Sequence, residues 1–312
     1  MRVSVRIVHP YAPGFRPAAA LFFITRAILA IMLTLNATSM ETKAEDVTVP
    51  TAEQFTMTAS KNGHRYRIFL AKPVLPPPPG GYPVIYVLDG NATFQTAAQA
   101  LRLQTRPPKG FGPAALVGIG YETDEPFDVD ARFRDYTTPA NANHLPTRKS
   151  GEPWPEIGGA DAFLEFIRND LFPEIDRRIA ANPERRTLFG HSLGGFFVLN
   201  TFLHDSDAFA TYVAGSPSIW WNRNELLGVA RNFVGSDPDL TGKRLLIGIG
   251  GDELDDMLDG SRAMSSILEP LFKQGLDLRY VEFDGEEHVS VLPAMLSRTV
   301  TFSLKPGHEE LP

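Results

Sequence analysis

The sequence predicts an α/β fold: a mostly parallel central sheet with helices on both faces and an antiparallel hairpin at its start. Three observations carry this. Runs such as Val84-Ile85-Tyr86-Val87-Leu88 and Ala114-Ala115-Leu116-Val117-Gly118-Ile119-Gly120 are apolar throughout, as strands are when helices cover both faces. They alternate with stretches that repeat at helical spacing, the pattern of strand-helix-strand units. One further strand, Thr187-Leu188-Phe189, runs through Gly190-His191-Ser192-Leu193-Gly194 straight into an apolar helix.

The bulk properties bound the reading. A chain of 312 residues that is 43% apolar can bury a real core. It has no cysteine, which excludes disulfides, thiolate catalysis and Cys-ligated metals. A formal charge of −7 without a basic cluster argues against a nucleic-acid partner. Residues 1–44 stand apart. Arg2, Arg6 and Arg16 precede the apolar run 27–35 and the small residues Asn36-Ala37-Thr38-Ser39, which together read as a secretory signal peptide. Arg26 leaves that run short for a bilayer, so an uncleaved signal anchor is the alternative. The expectation is an exported, periplasmic protein with one domain over 45–312, touching membrane only through an uncut leader. Without residues 1–44 that domain holds 25 Lys and Arg against 36 Asp and Glu, a charge of −11.

In chain order, residues 54–58 and 65–71 flank the turn Lys61-Asn62-Gly63 and form the hairpin at the sheet edge. Pro76-Pro77-Pro78-Pro79-Gly80-Gly81 suits neither strand nor helix and is an exposed connector. The strand 84–88 ends in Asp89-Gly90-Asn91, with a helix expected over 93–103 and a buried strand over 114–120. Residues 121–159 lose periodicity, and a loop that long at a strand's C-terminal end lies where open α/β sheets bind ligands. Phe163, Phe166, Ile167, Phe172, Ile175 and Ile179 mark a helix over 160–181, bent at Pro173. The elbow strand and its helix to about Leu203 come next, then an apolar stretch at 211–214 and a loop from Gly215. A strand over 243–250 ends at Gly251-Asp252-Glu253, a helix spans 257–274, a strand 278–283, and a last helix starts near Val289.

The pattern G-x-S-x-G at 190–194 marks the nucleophile elbow of the α/β-hydrolase fold, where a tight strand-to-helix turn lifts the serine oxygen clear of the backbone. Side chains at Gly190 and Gly194 are expected to collide as strand and helix pass. The motif alone is weak, since a chain of this length matches it by chance about 0.1 times. Its company decides. A serine hydroxyl needs a base, and His288 follows the last strand at the edge where the elbow emerges. His144 can reach a substrate from the long loop, while His191 and His204 read as structural. The orienting acid is Asp252 or Glu253, both placed after the preceding strand, and spacing does not choose between them. Asp255, Asp256 and Asp259 read as a solvated helix start without the spacing of a calcium loop, so no metal and no cofactor are expected. The oxyanion needs two backbone donors, expected at Leu193 and, past the tight turn at Gly90, at Asn91. An HGGG motif is missing, which disfavours a lipase-type hole.

Taken together, the motifs resemble the esterase D-like family, which includes S-formylglutathione hydrolase, the mycobacterial mycolyltransferases and the esterases that open catecholate siderophore trilactones. The likeness covers about 60–305. It rests on Tyr86-Val87-Leu88-Asp89-Gly90-Asn91, Arg134-Asp135-Tyr136-Thr137-Thr138-Pro139, Gly190-His191-Ser192-Leu193-Gly194-Gly195, Ser216-Pro217-Ser218-Ile219-Trp220-Trp221 and Gly285-Glu286-Glu287-His288. The resemblance implies Ser192 as nucleophile, His288 as base, Glu253 as acid, and Leu193 and Asn91 as oxyanion donors. Exported siderophore esterases share the leader, the DGN turn and the DYTP-like loop, and some of them have been argued to rely on a serine-histidine pair with a weak third member. The implied substrate is a small-molecule carboxylic ester, with Asp89, Arg132, Arg134, Trp220 and Trp221 as candidate contacts. Arg132 and Arg134 suit an anionic ferric catecholate, and Trp154, Trp220 and Trp221 suit its rings. The same residues also suit internal roles, Arg134 pairing with Asp135 or Asp130 and the tryptophans lying in the core. Acyl transfer to a sugar or lipid alcohol, and ligand binding without catalysis, are the other readings.

Overall fold

The structure, a computed structural model, describes residues 44, 47–148 and 151–305. The expected leader, apart from Ala44, lies outside the described residues. Among the described residues no helix is long and apolar enough to cross a membrane.

β1 (Ala52–Thr58) and β2 (Arg65–Ala71) pair antiparallel about the Asn62-Gly63 turn, as expected. β3 (Tyr82–Leu88), α1 (Gly90–Gln104) and β4 (Ala115–Gly120) follow. Next come α2 (Val129–Tyr136), α3 (Ala160–Phe166), α4 (Phe172–Arg178) and β5 (Ala181–His191). α5 (Leu193–His204), β6 (Thr211–Gly215), α6 (Trp221–Gly235), β7 (Arg244–Gly250), α7 (Asp255–Leu268), β8 (Asp277–Phe283) and α8 (Val291–Leu304) complete the order. One sheet runs β1-β2-β4-β3-β5-β6-β7-β8, antiparallel at β1/β2 and β2/β4 and parallel elsewhere.

Side-chain alternation along the central strands feeds two cores. Val84, Tyr86 and Leu88 of β3 join Phe163, Phe197 and Tyr212 on the face covered by α2 to α7. Ile85 and Val87 join Phe94, Phe189 and Met295 on the face covered by α1 and α8. Every residue of β3 is buried, which explains its unbroken apolar sequence, and each such large side chain contributes about 1.5–3 kcal/mol of burial. Because β4, β3, β5, β6, β7 and β8 run parallel, their C-terminal ends share one edge. That edge receives Asp89 after β3, Ser192 after β5, Ser216 after β6, Glu253 after β7 and His288 after β8.

The structure departs from the sequence expectation in three places. The stretch 121–159 contains α2, capped by Asp128, whose carboxylate accepts from the Ala131 N–H at 3.0 Å. Its polarity hides it, because in α2 only Ala131, Asp135 and Tyr136 are buried. The loop expected from Gly215 gives way to α6, in which Asn222, Arg223 and Asn224 are left-handed, so regular turns begin only at Glu225. The helix over 160–181 is three pieces: α3 and α4 joined by a π-helical turn at Ile167–Leu171, with Pro173 in the first turn of α4. Proline has no N–H to continue the regular ladder, and the helix adjusts just before it.

Candidate active site

The elbow forms because β5 and α5 must reverse direction within one residue. Ser192 takes φ 60° and ψ −117°, a strained conformation that costs about 1–3 kcal/mol and is held by its surroundings. Its N–H donates to Gly215 O at 2.9 Å, and its carbonyl accepts from Phe196 N and Ser218 N, each at 3.0 Å. A Cβ on Gly190 would sit 2.2 Å from Gly194 O, so that glycine is required. Gly194 is not: a Cβ there meets nothing closer than 3.5 Å. The second required glycine is instead Gly195, where a Cβ would lie 2.6 Å from Gly215 O as α5 crosses the end of β6.

From the elbow a line of hydrogen bonds runs across the edge. Ser192 Oγ is 3.1 Å from His288 Nε2, and His288 Nδ1 is 2.7 Å from Glu253 Oε2. Glu253 Oε1 accepts from the Ser216 hydroxyl and, at 3.0 Å, from the Gly250 N–H. Glu253 is buried while Asp252 points to solvent, which decides the choice that spacing left open. Burial pushes the Glu253 carboxyl up, but the hydrogen bonds from His288, Ser216 and Gly250 outweigh it and hold the group below its ordinary value. An ionised Glu253 takes the Nδ1–H of His288, which leaves the Nε2 lone pair directed at Ser192. The His288 side chain is 40% exposed.

His191 packs its ring 4.7 Å from that of His288 and is 6% exposed. Burial, with the charges of His288 and Arg132 adding to it, pushes the His191 imidazole down to about 3, so the ring stays neutral. Leu193 opens α5, and its N–H lies in the first turn, where no intrahelical partner exists. Asn91 occupies the first turn of α1. Its side chain is spent elsewhere, donating to the carbonyls of Tyr121 and Thr123 at 3.1 and 2.7 Å and accepting from Tyr121 N at 2.9 Å. Only the backbone N–H of Asn91 remains as a donor.

Several of the candidate substrate contacts have partners inside the protein, the internal roles weighed beside ligand binding. Asp89, 2% exposed, takes Arg132 Nε at 2.8 Å, and the Arg132 side chain is itself only 12% exposed. Arg134 forms two hydrogen bonds to Asp135, at 2.7 and 2.8 Å. Trp221 is fully buried, donates to Thr138 O at 3.1 Å and packs edge-on to Trp154; Trp220 is half-buried beside it. A guanidinium drawn out of water costs several kcal/mol unless a carboxylate meets it, so Arg132 and Arg134 are paired inside the protein. His144 bonds Asn222 Oδ1 at 3.0 Å. Two hydroxyls that the sequence reading gave no role also belong here. Ser216 supports Glu253, and Ser218 Oγ lies 3.3 Å from Ser192 Oγ. Their signal was positional, as both follow β6 at the edge where β5 delivers Ser192.

A serine on a strand-to-helix elbow, within reach of a histidine that meets a buried glutamate, on a mostly parallel sheet clad on both faces, defines an α/β-hydrolase of the serine-esterase class. A family model described as "Putative esterase" matches residues 59–259, and the chain belongs to this family. It is a carboxylic ester hydrolase. The chain is 46% identical over 274 residues to ferri-bacillibactin esterase BesA of Bacillus subtilis, covering 85% of this chain and 93% of that protein. Among solved structures, the BES protein of Bacillus cereus matches with a TM-score of 0.78 and 34% identity, over 85% of this chain and 100% of that one. Siderophore hydrolase EstB of Aspergillus nidulans matches with a TM-score of 0.67 and 29% identity, over 86% of this chain and 99% of that one.

Proposed function

We propose that this protein is an exported esterase that opens a catecholate siderophore ester through an acyl-enzyme on Ser192. One observation carries the assignment of the chemistry: the unbroken path from Ser192 Oγ to His288 Nε2 at 3.1 Å and from His288 Nδ1 to Glu253 at 2.7 Å. Ser192 Oγ attacks the ester carbonyl as its proton passes to His288 Nε2. Glu253 steadies the resulting imidazolium. The N–H groups of Leu193 and of the Asn91 turn receive the oxyanion. His288 returns the proton to the departing alcohol, and a water, deprotonated by the same imidazole, then releases the acid and restores Ser192.

The substrate class rests on likeness to ferri-bacillibactin esterase and siderophore hydrolase, and export rests on the basic, apolar and small-residue order of residues 2–39. The test incubates the protein with a ferric catecholate trilactone, short-chain esters and an added alcohol acceptor, read by product mass, alongside fluorophosphonate labelling. Opened trilactone and labelled Ser192 are expected. Ser192→Ala should abolish labelling and lower kcat about 10⁴- to 10⁶-fold. An acceptor ester as main product would mean an acyltransferase, and a labelled Ser192→Ala protein would refute the nucleophile.

A further inference from the structure

Two neighbouring strands deliver the two turns on which the oxyanion donors sit. β3 ends at Leu88, Asp89 has φ 52° and ψ 47°, and α1 starts at Gly90; β5 ends at His191, Ser192 has φ 60°, and α5 starts at Leu193. Both turns have a positive φ at a residue that is not glycine, and both aim a helix N-terminus at the same edge. The β3/β5 ladder stops at Val87↔Phe189, short of either turn. Beyond it β5 pairs only with β6, Gly190 against Ala214 and His191 against Gly215.

One side chain bridges the gap. Arg132 of α2 places Nε 2.8 Å from Asp89 Oδ1 and Nη2 3.4 Å from the carbonyl of His191. Tyr136, one turn along α2, accepts from Asp89 N and donates to Asp89 Oδ1, each at 3.3 Å. The guanidinium lies over the rings of Phe127 and Tyr136, 5.0 and 5.8 Å from their centroids, which fixes its plane. A guanidinium can hold two acceptors in set directions at once, and an ammonium on a flexible stem cannot.

We infer that Arg132 is a positioning residue that clamps the Asp89 turn to the Ser192 elbow and so sets the separation of the two oxyanion donors. The inference rests on the esterase mechanism proposed above. The clamp is carried by α2, the short helix capped by Asp128 in the polar segment between β4 and β5.

The test compares Arg132→Lys, which keeps a cation beside Asp89 and loses the second arm, with the double variant Asp89→Asn/Arg132→Met, which leaves no unpaired buried charge. Each is assayed for kcat and KM on an activated ester, for inhibition by an arylboronic acid that mimics the tetrahedral intermediate, and for melting temperature. In folded protein the clamp predicts kcat lower by about 10- to 100-fold, KM within about threefold, and boronate affinity falling in step with kcat. A folded variant with wild-type kcat overturns the inference. So does a rise in KM at unchanged kcat, which would make Arg132 a substrate contact. Fluorophosphonate labelling of the wild type separates the failures: an unlabelled wild type removes the mechanism beneath the inference, whereas a labelled wild type with fully active variants removes only the clamp.

Discussion

Glu253 and Asp89 are both buried carboxylates at one edge of one sheet, 8% and 2% exposed. In the strand order they lie on opposite sides of β5, Asp89 after β3 and Glu253 after β7. They differ in what answers their charge. Glu253 meets an imidazole with one oxygen and two neutral donors with the other, and its environment favours the ionised form. Asp89 meets a permanent cation, and burial pushes its carboxyl up against the pull of Arg132. A carboxylate opposite a titratable ring takes part in proton movement, because the ring's charge comes and goes. Opposite a guanidinium it meets a charge that never leaves, so what it fixes is shape.

Replacing each carboxylate by its amide should therefore damage different properties. Glu253→Gln presents a neutral amide to His288 Nδ1 and should lower kcat about 10²- to 10⁴-fold with little loss of stability, read by steady-state kinetics and urea melts. A loss under tenfold would show that Ser192 and His288 suffice as a pair. Asp89→Asn leaves the Arg132 charge buried without its counter-ion and should cost about 3 kcal/mol in a urea titration. If Asp89→Asn instead spared stability and raised KM alone, Asp89 would belong with the substrate contacts and the contrast would fail.

A smaller effect sharpens the picture from beside His288. The folded-state value of His191, about 3, lies below its ordinary value of 6.5. The unfolded chain therefore binds a proton between those values that the folded chain does not, and stability falls as pH drops below 6.5. At pH 5 the loss from this residue is about 2 kcal/mol. His191→Gln should flatten the urea-midpoint profile between about pH 7 and pH 5, and an unchanged slope would show that His191 is not the group responsible.

Much of this was legible in the sequence for a physical reason: strands buried on both faces must be apolar, and a serine between glycines after such a strand has few structural explanations. Ser192 and His288 could be named because chain order and strand ends place them. Spacing narrowed the acid only to Asp252 or Glu253, since adjacent residues point opposite ways and burial chooses; the family resemblance preferred Glu253. What the sequence misplaced or left open depends on contacts distant in sequence. Gly195 is required by the carbonyl of Gly215, and Arg132 is neutralised by Asp89, 43 positions earlier. A charged residue in a polar stretch looks the same in sequence whether it faces a ligand or an internal partner. α6 is hidden because its first turn holds the left-handed run Asn222 to Asn224, which no helical periodicity marks.

The open flank of His288, 40% of its side chain, bears on the second half of the proposed acyl-enzyme mechanism. In the proposed mechanism, that exposure leaves the ring within reach of water once the alcohol fragment departs. A site that sheltered this ring would protect the acyl group for a chosen acceptor. On the proposed mechanism, residence time sets the branching ratio between hydrolysis and transfer: an acceptor alcohol wins only if it is held at that flank longer than a water takes to arrive.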